Sequence, residues 1–146
     1  MSGIFNAMNV AASGMTAQRT RMDIISQNIA NVNTTRDENG DVYKRKTVVF
    51  QENTNASFDQ ILSNNLENYN AHGVKIRSIV EDNTEGSMVY DPTHPDADEN
   101  GYVMMPNVNT VTEMTNLIDA SRSFEANATA FNAAKSIAMK GLEILQ

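Results

Sequence analysis

The sequence predicts a mainly α chain with a small β-rich insert. Long N- and C-terminal helices pair as a coiled-coil-like layer, and the middle segment forms a small β domain. Three observations carry this expectation. Apolar residues recur at heptad spacing near both ends of the 146-residue chain, the middle alternates with the period of two that strands require, and the texture changes near residues 35 and 105. The expected organisation is an N-terminal axial helix over 1–35, a β-rich segment over 36–104 and a C-terminal axial helix over 105–146, with the two helices forming one packing unit.

In the first helix Met8, Met15, Met22 and Ile29 fall every seven residues, with Ile4, Ala11, Ile25 and Val32 on the interleaved positions. Gln18 interrupts the second row, and Gly3 and Gly14 weaken the helix slightly. It stops in NIANVNTT, where Asn and Thr side chains compete with the backbone for hydrogen bonds. DVYKRKTVVF (41–50) and GVKIRSIVE (73–81) then read as strands, and GSMVY (86–90) as a third. Lys44-Arg45-Lys46, the only basic cluster, reads as a solvated strand edge. Phe58, Ile61, Leu62, Leu66 and Tyr69 fit a short helix.

The last helix is longer. Met114, Leu117, Ser121, Phe124, Ala128, Phe131, Lys135, Ala138, Leu142 and Leu145 advance in steps of three and four. Asn107, Asn109 and Thr110 are candidate caps, and Thr110 with Glu113 has capping-box spacing. The same helix has a second apolar row, Ala126, Ala130, Ala133, Ile137 and Ile144, and the chain offers only one other long helix. One partner helix covers one stripe, so two stripes require at least two neighbours.

Composition removes several function classes. Without cysteine there is no disulfide, thiolate metal site or cysteine nucleophile. No apolar run is long enough to span a bilayer, so no membrane insertion is expected. The N-terminus lacks the basic region of a cleavable secretory signal, and Ser2 excludes myristoylation. Composition alone therefore expects a cytoplasmic chain. The net charge of −7 resides in residues 81–101, which hold seven acids and no Lys or Arg. Nucleic-acid binding rests on clustered positive charge, and the single run Lys44-Arg45-Lys46, read as a solvated edge, argues against it.

DADENG (96–101) opens like a calcium loop, with Asp96, Asp98 and Asn100 at alternate positions and Gly101 sixth. The twelfth position, which should be a bidentate Glu, is Asn107, and Pro106 interrupts the exiting helix. The stretch reads as an acidic turn, and DENG also occurs at 37–40 ahead of a β-rich run. His94, Asp96 and Asp98 are spaced like ligands of a hydrolytic metal, but nothing near them would orient the ligands. There is no nucleophile elbow, phosphate-binding Gly loop or apolar carboxylate pair. The expectation is a non-enzyme with no cofactor, metal or small-molecule substrate.

The terminal heptads support either a self-sufficient helical hairpin, as in an adaptor, or helices that complete themselves on partners. The unfilled second stripe and the unequal helix lengths favour assembly. So do the amides Asn28, Asn31, Asn127 and Asn132 on or near the packing faces, since buried amides fix register between helices. The alternative is a calcium-responsive or hairpin adaptor module.

ASGMTAQRTRMDIISQNIANVNTT (12–35) resembles the N-terminal signature of the bacterial flagellar rod and hook axial proteins. MPNVNTVTEMTNLIDASRSFEANATAFNAAKSIAMKGLEIL (105–145) resembles their C-terminal helix, and YDPTHPDADENGYVMMPNV narrows the likeness to the proximal-rod members. The resemblance implies a structural subunit of the basal-body rod, which crosses the periplasm and transmits motor torque to the hook. It implies terminal helices that pair into a helical tube, and export through the flagellar type III apparatus without a cleaved signal, in place of the cytoplasmic expectation. Implied partners are further copies, other rod proteins, the MS-ring and rod-base proteins and the export apparatus. Asn28, Ile29, Ala30, Asn31, Val32, Asn33 and Thr34 match the family motif, as do Ser121, Arg122, Phe124, Glu125, Ala126 and Asn127. Phe124 stands where Tyr is the usual family residue, and EDNTEGSM (81–88) lacks the prolines expected there. With these, periodicity and position make Met15, Met22, Ile25, Asn107, Val108, Met114, Leu117, Ala128, Phe131, Asn132 and Leu142 the remaining candidate interface residues.

Overall fold

A computed structural model describes residues 2–36, 40–53 and 72–143. The short helix expected over 58–69, the first DENG turn's residues 37–39, and Ile144 and Leu145 lie outside the described residues. Two long helices, α1 (Ser2–Ala30) and α2 (Thr110–Glu143), pack against each other, and a small β region lies between them in sequence. That region holds β1 (Lys46–Glu52), β2 (Val74–Glu81), β3 (Met88–Tyr90) and β4 (Tyr102–Met104). β1 pairs with β2, and β3 with β4 in an antiparallel hairpin. No helix among the described residues is long and apolar enough to cross a membrane.

The chain forms two compact units. The first comprises residues 1–19, 50–77 and 121–146, and the second 20–49 and 78–120. In the first, α1 buries Ala11, Gly14 and Ala17, while Gln18 stays half-buried. Gly14 is needed there: a Cβ would lie 2.7 Å from Asn127 Oδ1 and 2.9 Å from its Cγ. Asn127 is held in place by donating from Nδ2 to Ser123 O at 2.8 Å. Ser13 Oγ accepts from the Val74 amide at 3.0 Å and donates to Val10 O, tying the start of β2 to α1. The predicted row Phe124, Ala128, Phe131 and Ala138 is half-buried, whereas Ala126, Ala130, Ala133 and Ile137 are all exposed. Helical geometry puts the second row on roughly the opposite side of α2 from the first.

In the second unit Ile24, Ile25 and Asn28 are the buried residues of α1, and Glu113 and Ala120 those of α2. Asn31 ends α1, its amide nitrogen donating to Gln27 O at 2.8 Å and its Oδ1 accepting from Thr34 Oγ1 at 3.1 Å. Asn109 caps α2, accepting from the Thr112 amide at 3.0 Å. The cap is therefore Asn109, and Glu113 turns inward to a different task.

β1 starts at Lys46, five residues later than the alternation suggested: before it the Tyr43 amide donates to Thr34 O and the Arg45 amide to Asn107 Oδ1, neither of them to a strand. Tyr102–Met104 forms a strand the sequence reading missed, since three residues are too few to show a period. The DADENG turn takes the shape its residues prescribe. Gly101 N–H donates to Asp98 O at 3.0 Å, the Asp98 amide donates to Tyr102 O at 2.8 Å, and Gly101 adopts φ +81°. A type I turn followed by a left-handed Gly is a standard way to close a short hairpin loop.

Two glycines separate space from conformation. A Cβ on Gly86 would overlap the Met105 carbonyl oxygen, which is backbone and cannot swing aside, whereas one on Gly141 in α2 meets nothing within 4 Å. Gly86→Ala is expected to cost about 1–3 kcal/mol by overpacking, and Gly141→Ala to stabilise by up to about 1 kcal/mol through helix propensity. Urea denaturation of both variants checks the pair of signs.

Candidate functional site: a buried polar hub and exposed helix faces

The second unit is organised around two fully buried polar side chains, Asn28 of α1 and Glu113 of α2. A carboxylate shielded from water is costly unless it is paired and hydrogen-bonded. Here Arg45 donates to Glu113 Oε1 from Nε at 2.9 Å and from Nη2 at 2.7 Å. The Asn28 amide nitrogen donates to Oε2 at 2.9 Å, and Asn116 Nδ2 adds a longer bond to Oε1 at 3.3 Å. Both oxygens are satisfied.

Asn28 itself uses its whole inventory of two donors and two acceptor positions. Nδ2 donates to Lys46 O (2.8 Å) as well as to Glu113, and Oδ1 accepts from the Lys46 amide (2.9 Å) and the Tyr43 hydroxyl (2.9 Å). The side-chain amide thus pairs with both backbone groups of Lys46 as a neighbouring strand would. Burial, then the negative charges of Glu113 and Glu81, raise the Tyr43 pKa above its ordinary 10.0 and keep the phenol protonated as donor.

Asn107 repeats the device at the end of the β1–β2 ladder. Its Oδ1 accepts from the Arg45 amide at 2.8 Å and its Nδ2 donates to Asp82 O at 2.9 Å, while the Asp82 amide donates to Arg45 O at 2.8 Å. A side chain supplies the next rung where the strands separate. Arg45 Nη1 also lies 4.0 Å from the Asp82 carboxylate. The basic cluster is therefore no uniform solvated edge: Arg45 turns inward, Lys46 lies 5.7 Å from the centre of the Tyr43 ring, and Lys44 reaches Asn83.

The acidic turn is committed to structure. Asp96 accepts from Thr35 Oγ1 at 2.8 Å and pairs with Arg36 at 2.8 Å, and its amide donates to His94 Nδ1. Asp98 Oδ1 accepts the Asn100 and Tyr102 amides. Among the described residues no group of three or more His or acidic side chains converges as metal ligands would.

The candidate interface residues divide by position. Ile25 and Asn28 are buried, and Asn28 spends its hydrogen bonds inside the chain. Met15, Met22, Ile29, Asn31, Val32, Thr34, Asn107, Val108, Leu117, Ser121, Phe124, Asn127, Ala128 and Phe131 are half-buried. Asn33, Met114, Glu125, Asn132 and Leu142 are exposed. Two exposed apolar residues not in that set extend Met114 into a stripe: Val111 (74% exposed) and Ile118 (53%), at spacings of three and four. They were hidden because the row counted in steps of three and four began at Met114 and passed to Leu117, leaving Val111 and Ile118 outside it.

Two predictions follow from the hub and its neighbours. Arg45→Met leaves Glu113 buried without its counter-charge and is expected to cost about 3–5 kcal/mol. The double variant Arg45→Met with Glu113→Leu should recover much of that loss, as a urea-based double-mutant cycle would show. Hydrogen bonds from the Thr84 and Thr93 side chains hold Asp82 and Asp91 below the ordinary 3.8. Each contributes stability that is full above pH 3.8 and lost as pH falls through the depressed native value. Thr84→Val with Thr93→Val should flatten that acid limb when melting is followed against pH.

Comparison with known proteins places this arrangement. The family model described as "Flagella basal body rod protein" matches residues 8–36, covering most of α1 and its terminating amides. That described as "Flagellar basal body rod FlgEFG protein C-terminal" matches 99–144, from the acidic turn through α2. The flagellar basal-body rod protein FlgC of Bacillus subtilis is 47% identical, with 96% of this chain and 97% of that protein covered. FlgC of Borreliella burgdorferi is 43% identical over 99% of both chains, and that of Salmonella typhimurium 37% over 98% of both. The matched segments contain Asn28, Asn107 and Glu113 of the hub together with the exposed face of α2, and on these grounds the chain belongs to the FlgC family of flagellar basal-body rod proteins.

Proposed function

We propose that the chain is a structural subunit of the proximal rod, built into a helical tube by helix–helix packing and passing motor torque across the periplasm towards the hook. The observation that carries this reading is the state of α2. Its inward side is occupied within the chain, yet Val111, Met114 and Ile118 in one unit and Ala126, Ala130, Ala133 and Ile137 in the other face solvent. Apolar helix faces left open by their own chain are what a repeating head-to-tail contact requires, since such contacts extend rather than close. The small side chains of the alanine row let a neighbouring helix come close.

Proximal-rod neighbours, the ring at the rod base and the export apparatus are the partners this role entails. The role proposed is structural, in keeping with a family of basal-body rod proteins.

Ile118→Asp and Ala130→Asp place a charge on exposed positions and should leave the isolated chain's melting within about 0.5 kcal/mol of wild type. In a flagellated bacterium whose own copy is replaced, both are expected to abolish incorporation into basal bodies and swimming. Normal motility in both variants would sink the proposal. Leu117→Asp and Phe124→Asp act differently, because these half-buried residues should also lower the melting temperature of the chain itself.

A further inference from the structure

The β3–β4 hairpin has a face that the fold does not explain. Its register pairs Met88 with Met104 and Tyr90 with Tyr102, and positions two apart share one side of a ribbon. Val103 on the other side is 2% exposed and anchors the hairpin. Met88, Tyr90 and Tyr102 are 59%, 63% and 43% exposed, and the two tyrosine rings meet edge to face with centroids 5.2 Å apart. Met and Tyr are enriched at protein interfaces, and Tyr is among the residues that carry most of the binding energy there.

The surroundings are acidic. Residues 78–120 contain nine Asp or Glu and no Lys or Arg. Glu85 precedes β3, and Asp98 and Glu99 precede β4. Among the described residues the Glu85 and Glu99 carboxylates have no hydrogen-bond or ion-pair partner. A groove of about 360 Å³ adjoins the platform and shares Met104 with it; Lys44, Glu85 and Met105 also line it.

We propose that this Tyr–Met platform docks an arginine-bearing, otherwise apolar segment of a different protein. Guanidinium groups stack on tyrosine faces and pair with carboxylates, so one side-chain type satisfies both features of the surface. Self-pairing of this face in a second copy is disfavoured, because both copies bring the same seven acids of residues 81–101 to it. The proposal rests on the assembly reading above and names the chemistry of one neighbour.

The test titrates the full chain into two labelled amphipathic helical peptides with the same apolar face, one carrying arginines on its polar face and the other glutamates. The arginine peptide should bind at least about tenfold more tightly, with affinity falling as salt rises. Tyr90→Ser with Tyr102→Ser, and separately Glu85→Gln with Glu99→Gln, should each weaken it by about tenfold. Glu52→Gln with Glu143→Gln, the same charge change at exposed positions elsewhere, should leave it unchanged. The glutamine variants touch no packed side chain, so they remain informative if the tyrosine variant misfolds.

Equal affinity for both peptides, no binding of either, or equal losses in the two glutamine pairs would overturn the proposal. So would a self-association, seen by sedimentation, that the tyrosine variant abolishes, since the occupant would then be a second copy. None of these results touches the Ile118 and Ala130 incorporation assay, so failure here is distinguishable from failure of the rod assignment.

Discussion

The second unit depends on a buried carboxylate. Glu113 is fully shielded from solvent one turn into α2, and its charge has to be matched where it lies. The match comes from three places far apart in sequence: Arg45 just before β1, Asn28 near the end of α1, and Asn116 one turn further along α2. Moving any one would leave a polar group without a partner in a place water does not reach. Breaking such a network costs more than its formation contributes. What the hub supplies is a single allowed position for the end of α1, the start of β1 and the start of α2, more than it supplies stability.

That trade suits a chain with little else to hold it. The buried apolar residues among those described are Ala11, Ala17, Ile24, Ile25, Val103 and Ala120, three of them alanines. Alanine burial contributes little, since each methyl removes a small apolar area from water. Larger side chains such as Ile118, Ile137 and Leu142 point outwards instead. A self-sufficient globule would place them the other way round. Here polar side chains define the geometry within the chain, and the apolar surface is left for contacts that come later.

Much of this was legible in the sequence, and the illegible part has one cause. Heptad rows located both helices, alternation located β1 and β2, and an uncovered second row on α2 was foreseen from Ala126, Ala130, Ala133 and Ile137, which are exposed. The repeated DENG marked a real turn at Gly101. These are local patterns, set by neighbours within a turn or a strand. The hub was misread at three of its members: Glu113 looked like half of a capping box, Arg45 like a solvated edge and Asn107 like a cap. Each meaning depends on a partner more than fifty residues away, about which periodicity carries no information. Asn28 was singled out as an amide that fixes register, but the register it sets is against the backbone of Lys46.

The placement of Asn28 and Asn107 also explains how two short strands survive beside the helices. An isolated two-stranded ribbon is marginal in water, because each strand leaves an edge of unpaired backbone groups. At Lys46 and Arg45 those groups are taken by amide side chains, whose donor and acceptor face the same way as a peptide's. A carboxylate could accept from Lys46 N–H but would have nothing to give its carbonyl, and a hydroxyl could not span both. Only Asn or Gln carries both functions, and the shorter Asn loses less side-chain freedom in doing so. The abundance of asparagine in NIANVNTT and PNVN, which by composition alone suggests loose polar loops, is at these two positions the means by which helix and strand are locked in phase.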